Sequence, residues 1–175
     1  MKKQLSVFLI FLLVLLGCDS QYASVKYAVA VSSDAEKISY STYGAGETTL
    51  IFVHGWSCDS RYWHKQLSTF SKNYRVVTVD LAGHGHSSLG RLDYSMLSFA
   101  QDVKAVIEKD NINQAILIGH SMGGPIVIEA ALKIPDRVIG IVTVDSGALL
   151  NPTKDPSQKF VDGLLKKLRS DFPKT

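Results

Sequence analysis

An apolar run, Ala115-Ile116-Leu117-Ile118, leads directly into Gly119-His120-Ser121-Met122-Gly123, and helix-forming residues follow at once. A serine set between a strand and a helix in a Gly-x-Ser-x-Gly frame has the residue types needed for nucleophilic attack on a carbonyl carbon. The glycines have a steric reason: a serine held in a strained turn brings the residues two before and two after it too close for a Cβ. Such a turn leaves the serine Oγ exposed at the start of a helix, where free N–H groups and the helix dipole favour negative charge. Ser121 is therefore the candidate nucleophile, Gly119, His120 and Gly123 form the turn, and the Met122 N–H is placed to receive an oxyanion.

A second apolar run, Thr49 to Val53, ends in His54-Gly55-Trp56. A glycine there lets the chain turn over the sheet edge, and the N–H of Trp56 becomes the second candidate oxyanion donor. His54 precedes the nucleophile and is expected to be structural, under the turn and hydrogen-bonded to the loop. Asp80-Leu81-Ala82-Gly83-His84-Gly85-His86-Ser87 is rich in turn formers, and Asp80 is expected to cap or pin this loop beside the site. No cysteine or acidic cluster accompanies His84 and His86 at ligand spacing, so no metal site is expected, and no cofactor is implied.

The elements that must hold these residues follow from periodicity. Two β-like segments, Tyr27 to Val31 and Ile38 to Tyr43, flank the turn residues Ser32, Ser33 and Asp34. Continuous apolar runs at Thr49 to Val53, Tyr74 to Val79, Ala115 to Ile118 and Val138 to Val144 read as strands buried on both faces. Between them lie helical patterns: Tyr62 to Phe70; Ser95 to Lys109, with a capping serine and Leu97, Phe99, Ala100, Val103, Val106 and Ile107 on or near one face; and Met122 to Lys133. Strands and helices in alternation require an α/β fold, a mostly parallel sheet with helices on both faces. Asn151 to Pro156 interrupts the pattern, and Lys159 to Phe172 reads as an amphipathic helix.

Composition narrows the function classes. The 175 residues are 46% hydrophobic and 20% charged, the mixture of a globular domain with one extra apolar segment. The formal charge of +3 includes Lys2 and Lys3; without them 17 basic residues face 16 acidic ones, and no clustered basic face supports nucleic-acid binding. Lys166, Lys167 and Arg169 fit the solvated face of a helix.

Residues 1–17 have a basic start and an apolar run from Val7 to Leu16, the outline of an export signal. That run of about ten residues falls short of the roughly twenty that span a bilayer. It ends in Leu15-Leu16-Gly17-Cys18, which resembles the lipobox of bacterial lipoproteins. Cys18 is then the expected lipidation site and membrane anchor, with simple secretion to the cell envelope or beyond as the alternative, and residues 18–26 form a tether. Asp19 resembles the signal that retains lipoproteins at the inner membrane in some enteric bacteria. With Cys18 lipidated, Cys58 is left without an intramolecular disulfide partner and reads as a small apolar residue.

His54-Gly55-Trp56, Asp80-Leu81-Ala82-Gly83-His84-Gly85-His86-Ser87 and Gly119-His120-Ser121-Met122-Gly123, each at the end of a strand pattern, together resemble the α/β-hydrolase fold family over about Tyr27 to Leu150. The resemblance implies a serine hydrolase acting on a small acyl substrate of ester type, with the chain order Ser, then Asp or Glu, then His. Asp145 stands at a place used for the triad acid in some relatives; a structural or loop role is the alternative. All five histidines precede Ser121, whereas the family's histidine follows the last strand. The resemblance further implies that residues 151–175 begin a cap over the pocket and that about a hundred more residues complete the fold. The chain is thus expected to be a fragment, a truncated product or a decayed copy, incomplete or inactive alone. A non-catalytic exported protein that keeps the fold for binding is the competing expectation.

Overall fold

The computed structural model describes residues 25–146; the expected signal, the tether as far as residue 24 with Cys18, and the expected cap segment lie outside the described residues. A six-stranded sheet organises everything else, in the order β1-β2-β4-β3-β5-β6. Strands β1 (Lys26–Val31) and β2 (Lys37–Tyr43) form an antiparallel hairpin, and β2 also pairs antiparallel with β4 (Arg75–Val79). From β4 the sheet continues in parallel through β3 (Thr49–Val53), β5 (Ala115–His120) and β6 (Val138–Val144). Every residue of β3 is buried, as a strand covered on both faces must be.

Alternate side chains of β3 show how the two layers form. Ile51 and Val53 join a cluster with Val79, Phe99, Val106 and Ile126, under helices α2 (Met96–Lys109) and α3 (Gly123–Lys133). Leu50 and Phe52 point the other way, into a cluster with Trp63, Val76 and Ile118, which Leu67 of α1 (His64–Phe70) helps to cover. The Phe52 and Trp63 rings lie 4.9 Å apart. Helices therefore cover both faces, as the sequence pattern requires.

The helix expected over Tyr62 to Phe70 is preceded by a separate 3-10 turn, Ser60–Trp63, because the Asp59 side chain accepts the Arg61 N–H and starts the turn early. Ser95 caps α2 as its position suggests, accepting the Ser98 N–H at 3.2 Å. Leu97 is exposed rather than part of the buried stripe. Strand β6 also departs from expectation. Among the described residues it is the outer strand of the parallel part, and Ile139, Ile141, Val142 and Val144 are exposed, because burial on both faces needs neighbours that the described sheet does not supply there.

Asp102 stands on the buried face of α2, three residues after Phe99 and four before Val106, and is fully buried. It is satisfied by the forked guanidinium of Arg91, with contacts of 2.9 Å and 2.6 Å, and by the Ala82 N–H at 3.1 Å. Arg91 also donates from Nε to Asp34 at 2.7 Å. One buried cation thus ties the β1–β2 turn, the loop after β4 and α2 together.

Candidate active site

Ser121 has φ +50°, a left-handed backbone conformation that a residue bearing a Cβ adopts only when its surroundings enforce it. Three hydrogen bonds do so. The Ser121 N–H donates to the Val144 carbonyl at 2.9 Å, while the Ser121 carbonyl accepts from the Gly124 N–H and from Ser146 Oγ, each at 3.0 Å. The turn between β5 and α3 is fastened to the carboxyl end of β6.

The glycines around it are sterically required. A Cβ on Gly119 would run into the backbone of Gly123, one on Gly123 would lie 2.8 Å from the His54 carbonyl oxygen and closer still to that of Val53, and one on Gly124 would strike Ser146. Gly55 has a reason of its own. A Cβ there would stand 3.0 Å from His120 Nδ1 and 3.2 Å from Ser121 Cβ, so the His54-Gly55-Trp56 loop lies directly beside the serine. The positive φ of this loop belongs to Ser57 (+56°) and not to Gly55, which corrects the expectation that Gly55 makes the turn. Closeness to the elbow is what Gly55 provides. Trp56 follows Gly55 in this loop, and Met122, next to Ser121 in the chain, is the N-cap of α3.

His54 is buried and saturated. Its Nε2 accepts the Leu81 N–H at 3.1 Å, which assigns the proton to Nδ1, 2.7 Å from the Gly55 carbonyl oxygen. Burial holds its imidazole below the usual histidine range, so it is a neutral strut for the loop. Asp80 pins the neighbouring loop from both sides, accepting from the Ser60 N–H at 2.7 Å and the His86 N–H at 2.9 Å. Burial works against its charge, yet these amides outweigh burial and hold the carboxyl below its ordinary value of 3.8.

A lowered folded-state value gives stability that is fully present above the ordinary carboxylate value and is lost as pH falls through the lower one. Urea unfolding of the natural chain and Asp80→Asn is expected to show its full difference at neutral pH and a shrinking one below about pH 4. An unchanging difference would remove the charged role of Asp80.

His120 stacks on Tyr62, ring centroids 4.6 Å apart and planes 18° from parallel, with the Tyr62 hydroxyl 3.3 Å from Nε2. Trp63 meets the same imidazole edge-on at 6.4 Å. Sequence spacing gave no reason to single out Tyr62; it reaches His120 because Asp59 and Asp80 fix the 3-10 turn that carries it. Among the described residues no histidine ring hydrogen-bonds the Ser121 hydroxyl. Asp145 follows β6 with φ +49°, exposed, with no ion-pair partner among the described residues. Pairing of His120 with Val144 sets Asp145 at the level of Ser121 on the neighbouring strand.

A family model described as alpha/beta hydrolase fold matches residues 48–175. The chain belongs to this family. It is 31% identical over 142 residues to a pimeloyl-[acyl-carrier protein] methyl ester esterase of Aeromonas hydrophila, covering 79% of this chain and 54% of that protein. A solved structure of an N-acyl homoserine lactone degrading enzyme is 31% identical, with a TM-score of 0.63 over 71% of this chain and 52% of that one. An esterase from Exiguobacterium antarcticum shares the fold at a TM-score of 0.73 and 24% identity, over 83% of this chain and 57% of its own. The chain spans about half the length of these relatives.

Proposed function

We propose that the chain carries the nucleophile and oxyanion half of a serine hydrolase acting on small acyl substrates of ester type. The observation that carries this reading is Ser121 at φ +50° between a parallel strand and a helix, with the Gly55 loop packed against its Cβ. In that reaction Ser121 Oγ–H gives its proton to a base as Oγ bonds to the acyl carbon, and the carbonyl oxygen, now anionic, is received by the N–H groups of Trp56 and Met122. Collapse of the adduct breaks the bond to the leaving alkoxide, which takes the proton. Water then cleaves the acyl-serine, giving the acid and free Ser121.

Among the described residues no base is positioned on Ser121: His54 spends both ring nitrogens on backbone groups, and none of His64, His84, His86 and His120 hydrogen-bonds Ser121 Oγ, so hydrolysis by the 175 residues alone is expected to be slow. Asp145 is the candidate acid to orient a histidine beside Ser121. The same lack of a positioned histidine favours the second reading, an exported protein that keeps the fold for binding. In either case Cys18 is the site of the lipid that holds the protein at a membrane.

Imidazole added to the buffer separates the readings. Hydrolysis of 4-nitrophenyl acetate, after subtraction of the imidazole-only rate, is expected to rise with imidazole for the natural chain and not for Ser121→Ala. Equal rates for the two chains would favour the binding protein.

A further inference from the structure

The outer face of β1 has no partner among the described residues. Along this strand Ala28 and Ala30 turn inward to the core under α2, so Tyr27, Val29 and Val31 share the opposite face, and they are 78%, 49% and 64% exposed. Three large apolar side chains in a row on one face call for a covering surface. Lys37, exposed, pairs with Val31 and so shares this face at the far end of the strand. Of the acidic groups nearby, Asp34 is paired with Arg91 and Glu36 is half-buried.

We propose that this face of β1 rests on the bilayer surface, with Tyr27, Val29 and Val31 at the headgroup level and Lys37 against anionic headgroups. The proposal depends on an anchor at Cys18, and chain length is what commits the occupant. Six residues, 19–24, separate Cys18 from the described chain. Even fully extended they reach only about 20 Å, so β1 is the element that an anchored Cys18 keeps nearest the lipid. Tyrosine and lysine are residues that settle at that depth, with an apolar body inward and a polar tip in water. A second copy pairing edge to edge along β1 would extend the sheet through its backbone and still leave the Tyr27 face open.

The test places an environment-sensitive nitrobenzoxadiazole fluorophore on Val29→Cys in a Cys58→Ser background, with Leu132→Cys on α3 as the control, since Leu132 is 71% exposed on the other helix layer. The full chain is exported, its Cys18 lipid checked by mass, and reconstituted into phosphatidylethanolamine–phosphatidylglycerol vesicles carrying nitroxide-labelled lipid. A parallel chain carries Cys18→Ser and a hexahistidine in place of residues 1–17, held on the same vesicles by a nickel-chelating lipid. Quenching of at least about twofold at position 29, with position 132 unaffected, is expected in both preparations. Absence of lipid on Cys18 together with quenching on the nickel-anchored chain would sink the natural anchor and leave the face assigned. An unquenched position 29 on anchored chain overturns the proposal, and a concentration-dependent dimer in that case gives the face to a second copy.

Discussion

Arg91→Ala is expected to lower folding stability by about 3–5 kcal/mol, because it leaves the Asp102 carboxylate buried without its cation. The geometry sets the size of the loss. Arg91 is 6% exposed and Asp102 is fully buried, and the two meet through a forked contact with distances of 2.6 Å and 2.9 Å. The Ala82 N–H alone cannot solvate the carboxylate that remains. Replacing both charges by apolar residues of similar volume, Arg91→Met with Asp102→Leu, is expected to recover most of that loss, since no uncompensated charge is then buried. Urea unfolding of the two single variants and the double variant reads this directly. A double variant no more stable than Arg91→Ala would mean that the network contributes through shape and not through charge.

Gly123→Ala is expected to damage the site and the fold together. Its Cβ would crowd the Val53 carbonyl oxygen and lie 2.8 Å from that of His54, and both oxygens belong to backbone at the end of a fully buried strand. Relief requires α3 to move away from β3, which costs about 1–3 kcal/mol as overpacking does. The same movement separates Ser121 from the Gly55–Trp56 loop. A misplacement of about 1 Å is enough to reduce Ser121-dependent reactivity by on the order of 10²-fold. Gly90→Ala is the matched control, because its Cβ would meet only Glu36 Oε1 at 3.6 Å. Equal stability and reactivity of the two variants would show that the elbow has room that its geometry denies.

Much of the scaffold was legible because its signals are local. The apolar runs at Thr49–Val53 and Val138–Val144 coincide with β3 and β5's neighbour β6 residue for residue, and Ser95 sits where a cap belongs. The need for glycine at Gly119 and Gly123 was also readable, since the Gly-x-Ser-x-Gly frame carries its own steric reason. The strain itself, φ +50° at Ser121, rests on Val144 and Ser146, which are distant in sequence. Asp102 offered a partial clue, a carboxylate on the apolar side of a helix that demands a buried cation, yet nothing in the sequence says that the cation is Arg91. The exposure of β6 was not legible because an apolar run records what a strand can tolerate on each face and not which neighbours it has. Tyr62 was hidden for a related reason: its stack on His120 depends on two aspartates that set the angle of a short turn.

The proposed role of Ser121, a nucleophile with no base positioned on it among the described residues, is open to a single experiment: treating the intact protein with a fluorophosphonate probe, with and without imidazole, and locating the adduct by mass spectrometry. The expected result is slow labelling that imidazole accelerates, confined to the peptide containing Ser121 and lost in Ser121→Ala. Labelling that persists in Ser121→Ala, or a Ser121 that stays unlabelled even with imidazole present, would contradict it.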